Sequence, residues 1–166
     1  MLRSSRISLY PLSLEELVKI DQENFTISDF IFSDFELDKN QKRAMNIKIG
    51  KMKYLEFNKH YWYTYWLIIE NESSKAIGTI GFKGLEALGA VEVGYGISKR
   101  FEGRGFMSES LGLLIELAFS KSECELITAK NVLKNNLGSQ KVLRKNGFEE
   151  VLVHNNGIDF ELYSTN

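Results

Sequence analysis

The chain predicts a mixed α/β fold, a sheet packed between helices, and three observations carry that reading. Its hydrophobic periods change in a fixed order: strand, helix, helix, three strands joined by turns, then helix, strand, helix and two closing strands. Its 166 residues, 43% hydrophobic and 26% charged, suffice for a sizeable core. Proline occurs only at Pro11, and no repeat, low-complexity tract or linker interrupts the sequence, so residues 1–166 read as a single domain.

Ile7 to Leu12 predicts the first strand. Ser13, with Glu16 three residues on, is a capping box that opens a helix at Leu14. The stretch holding Phe25, Phe30, Phe32 and Phe35 is aromatic and irregular. Between Glu36 and Asn58, Met45, Ile49, Met52 and Leu55 fall at helical spacing, with Gly50 against it. Trp62 to Ile69, rich in aromatic and β-branched residues, predicts a strand. Asn71 to Ser74 is a turn into Lys75–Lys83, completing a hairpin. Gly84 to Gly89 turns the chain into a third strand, Val91 to Ser98. A helix with Met107, Leu111, Leu114 and Ala118 on one face follows, then a strand over Leu126–Val132 and a helix over Asn136–Lys145 stopped by Gly147-Phe148. Two last strands meet at the hairpin turn Asn155-Asn156-Gly157.

Charge and composition exclude several classes. With 21 basic and 22 acidic residues the net charge is -1, so neither a nucleic acid nor a membrane surface is an expected partner. Cys124 is alone, which rules out an internal disulfide and a cysteine-based zinc site, and His60 and His154 are too scattered for a metal cluster; no metal is expected. No apolar run approaches the roughly 18 residues of a membrane span, and no apolar leader follows Met1. A soluble cytoplasmic protein is expected.

The segment Ile97 to Glu109, I-S-K-R-F-E-G-R-G-F-M-S-E, runs from a strand through a tight glycine turn to a helix N-terminus. Gly103 and Gly105 permit close backbone approach to a ligand, and the helix start offers unpaired N–H groups and a positive dipole end. Such a turn suits a pyrophosphate, with Arg104 adding charge at the rim, although two glycines also serve many strand-to-helix turns for geometry alone. A dinucleotide fingerprint is disfavoured: its third glycine would fall at Ser108, and three strands precede the loop. A P-loop lacks its Gly-Lys-Ser/Thr. Gly94 and Gly96 flank Tyr95 inside the preceding strand, a pattern that marks a bulge or the close approach of a ligand, or mere room beside an aromatic ring.

E-V-G-Y-G-I-S-K-R-F-E-G-R-G-F-M-S-E resembles the acetyl-CoA-binding motif of the GNAT superfamily of N-acetyltransferases, in the branch that acetylates ribosomal-protein N-termini. N-V-L-K-N-N-L-G-S-Q-K-V-L-R-K-N-G-F, Asn131 to Phe148, is similar to that branch's second motif at Asn136, Ser139, Val142, Leu143, Lys145, Gly147 and Phe148. The resemblance implies a central, mostly antiparallel twisted sheet with one parallel, splayed strand pair and helices on both faces. The pantetheine arm of acetyl-CoA would lie in the splay. The loop Glu102, Gly103, Arg104, Gly105, Phe106, Met107 would hold the pyrophosphate through main-chain amides. Gly96 and Ile97 would pair with pantetheine like an added strand, Asn136 would hydrogen-bond the cofactor arm, and Ser139 would sit near the sulfur. It also implies a homodimer, as members often are. Three positions depart from the pattern. Glu102 replaces the usual Gln or Arg, and is tolerable only if it points to solvent or to Arg104. Met107 stands where the wider superfamily has a small residue. The usual general-acid tyrosine falls at Leu143.

Acetyl transfer to an amine requires removal of the ammonium proton, donors for the oxyanion and a proton for the leaving thiolate. Glu92, on the glycine-bearing strand, is the candidate base acting through water. By strand parity it shares a face with Gly94 and Gly96, opposite Val91, Val93, Tyr95 and Ile97. The amide near Ile97 is the expected oxyanion donor, and Ser139 the candidate to protonate or orient the thiolate. Each side chain also has a purely structural reading, Glu92 as a solvated strand residue and Ser139 as a helix cap. Cys124 is expected to be a buried structural residue, His60 to end a helix or line the acceptor pocket, and Glu109 to favour the helix dipole. Asp29, Asp34, Glu36 and Asp38 make one stretch acidic and suit a cationic acceptor: a peptide N-terminus first, a small amine second. The alternative function is a non-catalytic acyl-CoA-binding sensor.

Overall fold

The computed structural model describes residues 1–22, 31–32 and 39–165. The acidic stretch Asp29, Asp34, Glu36 and Asp38 lies outside the described residues. The strands are β1 (Leu2–Arg3), β2 (Ile7–Pro11), β3 (Ile31–Phe32), β4 (Trp66–Glu70), β5 (Lys75–Leu85), β6 (Ala90–Ile97), β7 (Leu126–Leu133), β8 (Glu149–Val153) and β9 (Gly157–Tyr163). The α-helices are α1 (Leu14–Asp21), α2 (Lys39–Met52), α3 (Phe106–Phe119) and α4 (Leu137–Lys145). They build one sheet in the order β1-β2-β4-β5-β6-β7-β9-β8, with β3 paired to β5. Along that path every pairing is antiparallel except β6–β7.

Alternation along the strands divides the side chains between two cores. On one face Phe82, Val91, Val93, Ile127 and Phe160 of the sheet pack with Phe106, Leu111, Leu114 and Ala118 of α3 and Leu143 of α4. On the other, Leu67, Ile69 and Ala76 pack with Leu17 and Ile20 of α1 and Met45, Ile49 and Met52 of α2. Helices therefore cover both faces, as expected. The Ser13 capping box is present: Ser13 accepts from the Glu16 amide, and Glu16 accepts from the Ser13 amide (2.7 Å). Met107, Leu111, Leu114 and Ala118 form the buried stripe of α3.

Two boundaries differ from the sequence reading. The helix expected to reach Asn58 ends at Met52, Phe57–Trp62 coils into a short 3-10 helix that takes in Trp62, and Tyr63–Tyr65 stay outside the expected strand. The strand starts at Trp66. The aromatic run is buried as a strand would be, but by tertiary contacts: Trp62 packs its ring 5.5 Å from that of Phe82, and the Thr64 hydroxyl donates to the Leu12 carbonyl (2.5 Å). The two-residue ladders of β1 and β3 are too short to leave a period in the sequence.

Candidate active site

The parallel pair β6–β7 is joined over three residues only: Ala90 with Leu126, Val91 with Ile127, and Glu92 with Thr128. Beyond Glu92 the strands part. β6 continues to Ile97 with its other edge still laddered to β5, from Val93–Phe82 to Ile97–Gly78. One edge of residues 93–97 thus faces an opening in the sheet rather than a strand. Close packing on the β5 side keeps it in place. A Cβ on Gly78 would lie inside contact distance of the Gly96 carbonyl oxygen, so glycine is what lets the two strands approach there.

At the C-terminal end of β6 the chain makes a 3-10 turn over Lys99–Phe101 and enters the glycine loop. Gly103 (φ 72°) and Gly105 (φ 84°) are both left-handed, which explains their identity. A Cβ on Gly103 would meet nothing within 4 Å, so the outer side of the loop is open. Gly105 caps α3 without any side-chain bond, and the amides of Gly103 to Ser108 have no acceptor among the described residues. A helix N-terminus with its donors free beside an accessible loop has the chemistry to accept an anion. Glu102 is exposed, and Arg104 turns instead to Glu70 (3.5 Å), with its guanidinium carbon 4.8 Å above the Phe106 ring. The acidic residue in the loop therefore points to solvent, one of the two arrangements the motif tolerates.

Glu92 sits where the opening begins, with its side chain 16% exposed and ion-paired to Lys83. Val91 and Val93 lie in the α3 core, which places Glu92, Gly94 and Gly96 on the α1–α2 face; nothing would stand within 4 Å of a Cβ on Gly94. On the opposite face Tyr95 reaches from β6 to α4, where its hydroxyl donates to the Ser139 carbonyl (3.3 Å). Burial pushes the Tyr95 phenol up to about 12, against a smaller opposing effect of that bond, so it stays protonated. Sequence reasoning gave Tyr95 no role; its place between two glycines was the available signal. Asn136 caps α4, its Oδ1 accepting from the Ser139 amide (3.1 Å), which leaves its side-chain NH2 as the group free for a ligand. Leu143 is 0% exposed in the core and presents no polar group.

The remaining candidates lie apart. Cys124 is buried, and burial first and Glu123 next push its thiol up to about 11. That fits a structural residue. His60 Nε2 meets the Leu55 carbonyl at 3.1 Å and ties down the turn after α2. His154 pairs with Asp159 at the far strands (3.0 Å). Among the described residues there is no cluster of three or more His, Cys, Asp or Glu side chains arranged for a metal, and no helix long and apolar enough to cross a membrane.

Comparison with known proteins agrees with this geometry. The family model described as "Acetyltransferase (GNAT) domain" matches residues 6–149. Two Bacillus subtilis proteins are similar: the uncharacterized N-acetyltransferase YjdG, 34% identical over 84 residues, and the probable N-acetyltransferase YjcK, 33% identical over 85. The chain spans about half the length of these curated relatives: the matched stretches cover 50% of the chain and 49% and 46% of the two proteins. Among solved structures, a ribosomal-protein-S5-alanine acetyltransferase from Vibrio fischeri superimposes with a TM-score of 0.67 at 17% identity, covering 98% of this chain and 96% of that one. A dodecameric spermidine N-acetyltransferase from Vibrio cholerae does so with a TM-score of 0.64 at 13% identity, with the same coverage. At these identities the superpositions speak for the fold, while the family model spans most of the sequence, including the glycine loop and the parted strands: the chain belongs to the GNAT acetyltransferase family.

Proposed function

We propose that this protein is a cytoplasmic N-acetyltransferase that passes the acetyl group of acetyl-CoA directly to a primary amine, a protein N-terminus first and a small cationic amine second. The observation that carries the reading is the parting of β6 from β7 after Glu92, which leaves a free edge over residues 93–97 that runs on toward a loop with unengaged amides. Main-chain donors of Gly103, Arg104, Gly105, Phe106 and Met107 hold the diphosphate, whereas the Glu102 amide already donates to the Lys99 carbonyl (3.2 Å). Ile97 pairs with the pantetheine arm along the free edge of β6, beside Gly96, whose own polar groups face Thr79 of β5. The Asn136 side-chain NH2 and Ser139 flank the arm from α4. Glu92, shared with Lys83, takes the amine proton through water, and the Ile97 amide stabilises the oxyanion. The protonated Tyr95 hydroxyl, with Ser139, serves the departing thiolate in place of the position filled by Leu143. The names of the structural neighbours support both acceptor classes, a ribosomal-protein N-terminus and spermidine.

Thiol release from acetyl-CoA, measured against a panel of peptide N-termini and polyamines, tests the reading. Glu92→Gln is expected to lower kcat by about a hundredfold or more while coenzyme A binding is retained, the usual scale for loss of a general base. Tight binding of acetyl-CoA with no thiol release across the panel would instead favour an acyl-CoA sensor, a reading to which the buried Leu143 lends weight.

A further inference from the structure

Glu109 places a carboxylate in the first turn of α3, the turn whose free amides form the anion cradle. Alone, a negative charge there would occupy the positive end of the helix dipole and repel an incoming diphosphate. The chain meets this with a residue 103 positions earlier. From the turn between β1 and β2, Arg6 donates through Nε to Glu109 Oε2 (2.7 Å) and through Nη2 to the same oxygen. Its Nη1 donates to the Arg104 carbonyl in the middle of the loop (3.0 Å). Ser4 Oγ donates to the other Glu109 oxygen. The Arg6 guanidinium carbon lies 5.0 Å over the Phe106 ring, and a Cβ on Gly105 would come within 3.4 Å of Nη2. The turn that carries Arg6 is itself fixed: the Asn71 side chain donates to the Ser4 and Ser5 carbonyls (3.1 and 3.2 Å), and the Asn71 amide to the Arg6 carbonyl (2.9 Å).

We propose that Arg6 is a positioning residue for the cofactor: it neutralises Glu109 and pins the Arg104 carbonyl, so that the donors from Gly103 to Ser108 face a diphosphate unopposed. The inference rests on the acetyl-CoA reading above. Glu109 is correspondingly held ionised: burial works to raise its carboxyl, but the bonds from Ser4 and Arg6 outweigh that and bring it below the ordinary carboxylate value. Arg6 is about half exposed, and exposed ion pairs add little to folding stability. Breaking this one should therefore register in cofactor affinity and hardly in the melting temperature.

Calorimetric titration with coenzyme A on the full chain tests the proposal, with melting followed in parallel. Arg6→Ala is expected to weaken binding about tenfold, and the loss to fall on KM for acetyl-CoA far more than on kcat. Arg6→Ala with Glu109→Gln should recover to within about threefold of the parent, because the unopposed charge is gone; Glu109→Gln alone should bind at least as tightly as the parent. The proposal is overturned by an Arg6→Ala protein with unchanged affinity, or by a double variant as weak as the single one. Should Arg6→Ala fail to fold, Glu109→Gln decides alone, and a tenfold loss in it would count against the idea. A parent protein that binds no coenzyme A defeats the acetyl-CoA reading first, a result distinct from either failure.

Discussion

Lys48, 6% exposed on α2, donates its ammonium to the Phe82 carbonyl and lies over the face of the Tyr65 ring, 4.7 Å away. Burial first, and then the neighbouring charges of Lys51 and Lys83, bring its pKa down to about 7. In the unfolded chain the same amine keeps its proton to about 10.4. Above pH 7 the unfolded state thus binds more protons than the folded one, and stability rises with pH. The useful window is pH 7 to 8.5: above it Cys124, whose thiol is raised in the fold, acts in the opposite direction. Thermal unfolding between pH 6.5 and 8.5 should show the parent gaining stability across the window and Lys48→Met showing almost no gain. Equal slopes in both proteins would mean that Lys48 carries its charge in the fold. The same amine lies near Lys83, the partner of Glu92, so its protonation also changes the charge beside the site.

At the scale of elements, α4 tests whether a cap and a ligand contact can be separated. Asn136 spends its carbonyl on the Ser139 amide and leaves its NH2 free. Serine caps as well as asparagine, whereas alanine does not and costs about 1 kcal/mol. Asn136→Ser should therefore melt with the parent but bind coenzyme A several-fold more weakly, and Asn136→Ala should lose both; loss of stability without any change in affinity would leave Asn136 a cap alone. Elements with a strong local period were legible in the sequence. The α3 stripe, the capping box at Ser13 and the Val91–Ser98 strand came out close to their observed bounds, because side-chain period and cap chemistry are local. The strand start near Trp62 failed because a 3-10 turn can bury aromatic rings as thoroughly as a strand does. In the site, the glycine loop was legible because Gly103 and Gly105 answer a backbone demand that few other residues meet. The Arg6–Glu109 pair was not, since nothing local in either residue announces a partner 103 positions away. The Gly94-Tyr95-Gly96 pattern pointed to a bulge or a ligand's approach in this strand, but the resemblance supplied the expectation that it parts from a parallel neighbour.

For the whole molecule, the opening interrupts an otherwise continuous sheet. Each half carries its own antiparallel ladder, β2-β4-β5-β6 on one side and β7-β9-β8 on the other, and three residue pairs join them. The α3 core, reaching from Phe82 and Val93 to Ile127, Leu143 and Phe160, bridges the halves beneath the gap and prevents the short ladder from being their sole tie. A ligand that lies along the free edge of β6 and ends on the glycine loop would add the missing pairing. Coenzyme A at a hundred times its dissociation constant should then stabilise the fold by about 2.7 kcal/mol through linkage alone. Its local mark on hydrogen exchange should fall on residues 93–97 of β6 and 103–108 of the loop, over a uniform slowing of the amides that exchange through global unfolding, with β4 and the β8–β9 hairpin unchanged in local opening. Mass-spectrometric exchange with and without coenzyme A reads both regions in one experiment. Protection of the loop without protection of β6 would mean that the diphosphate docks while the arm lies outside the sheet, and the assignment of Ile97 to pantetheine would have to be abandoned.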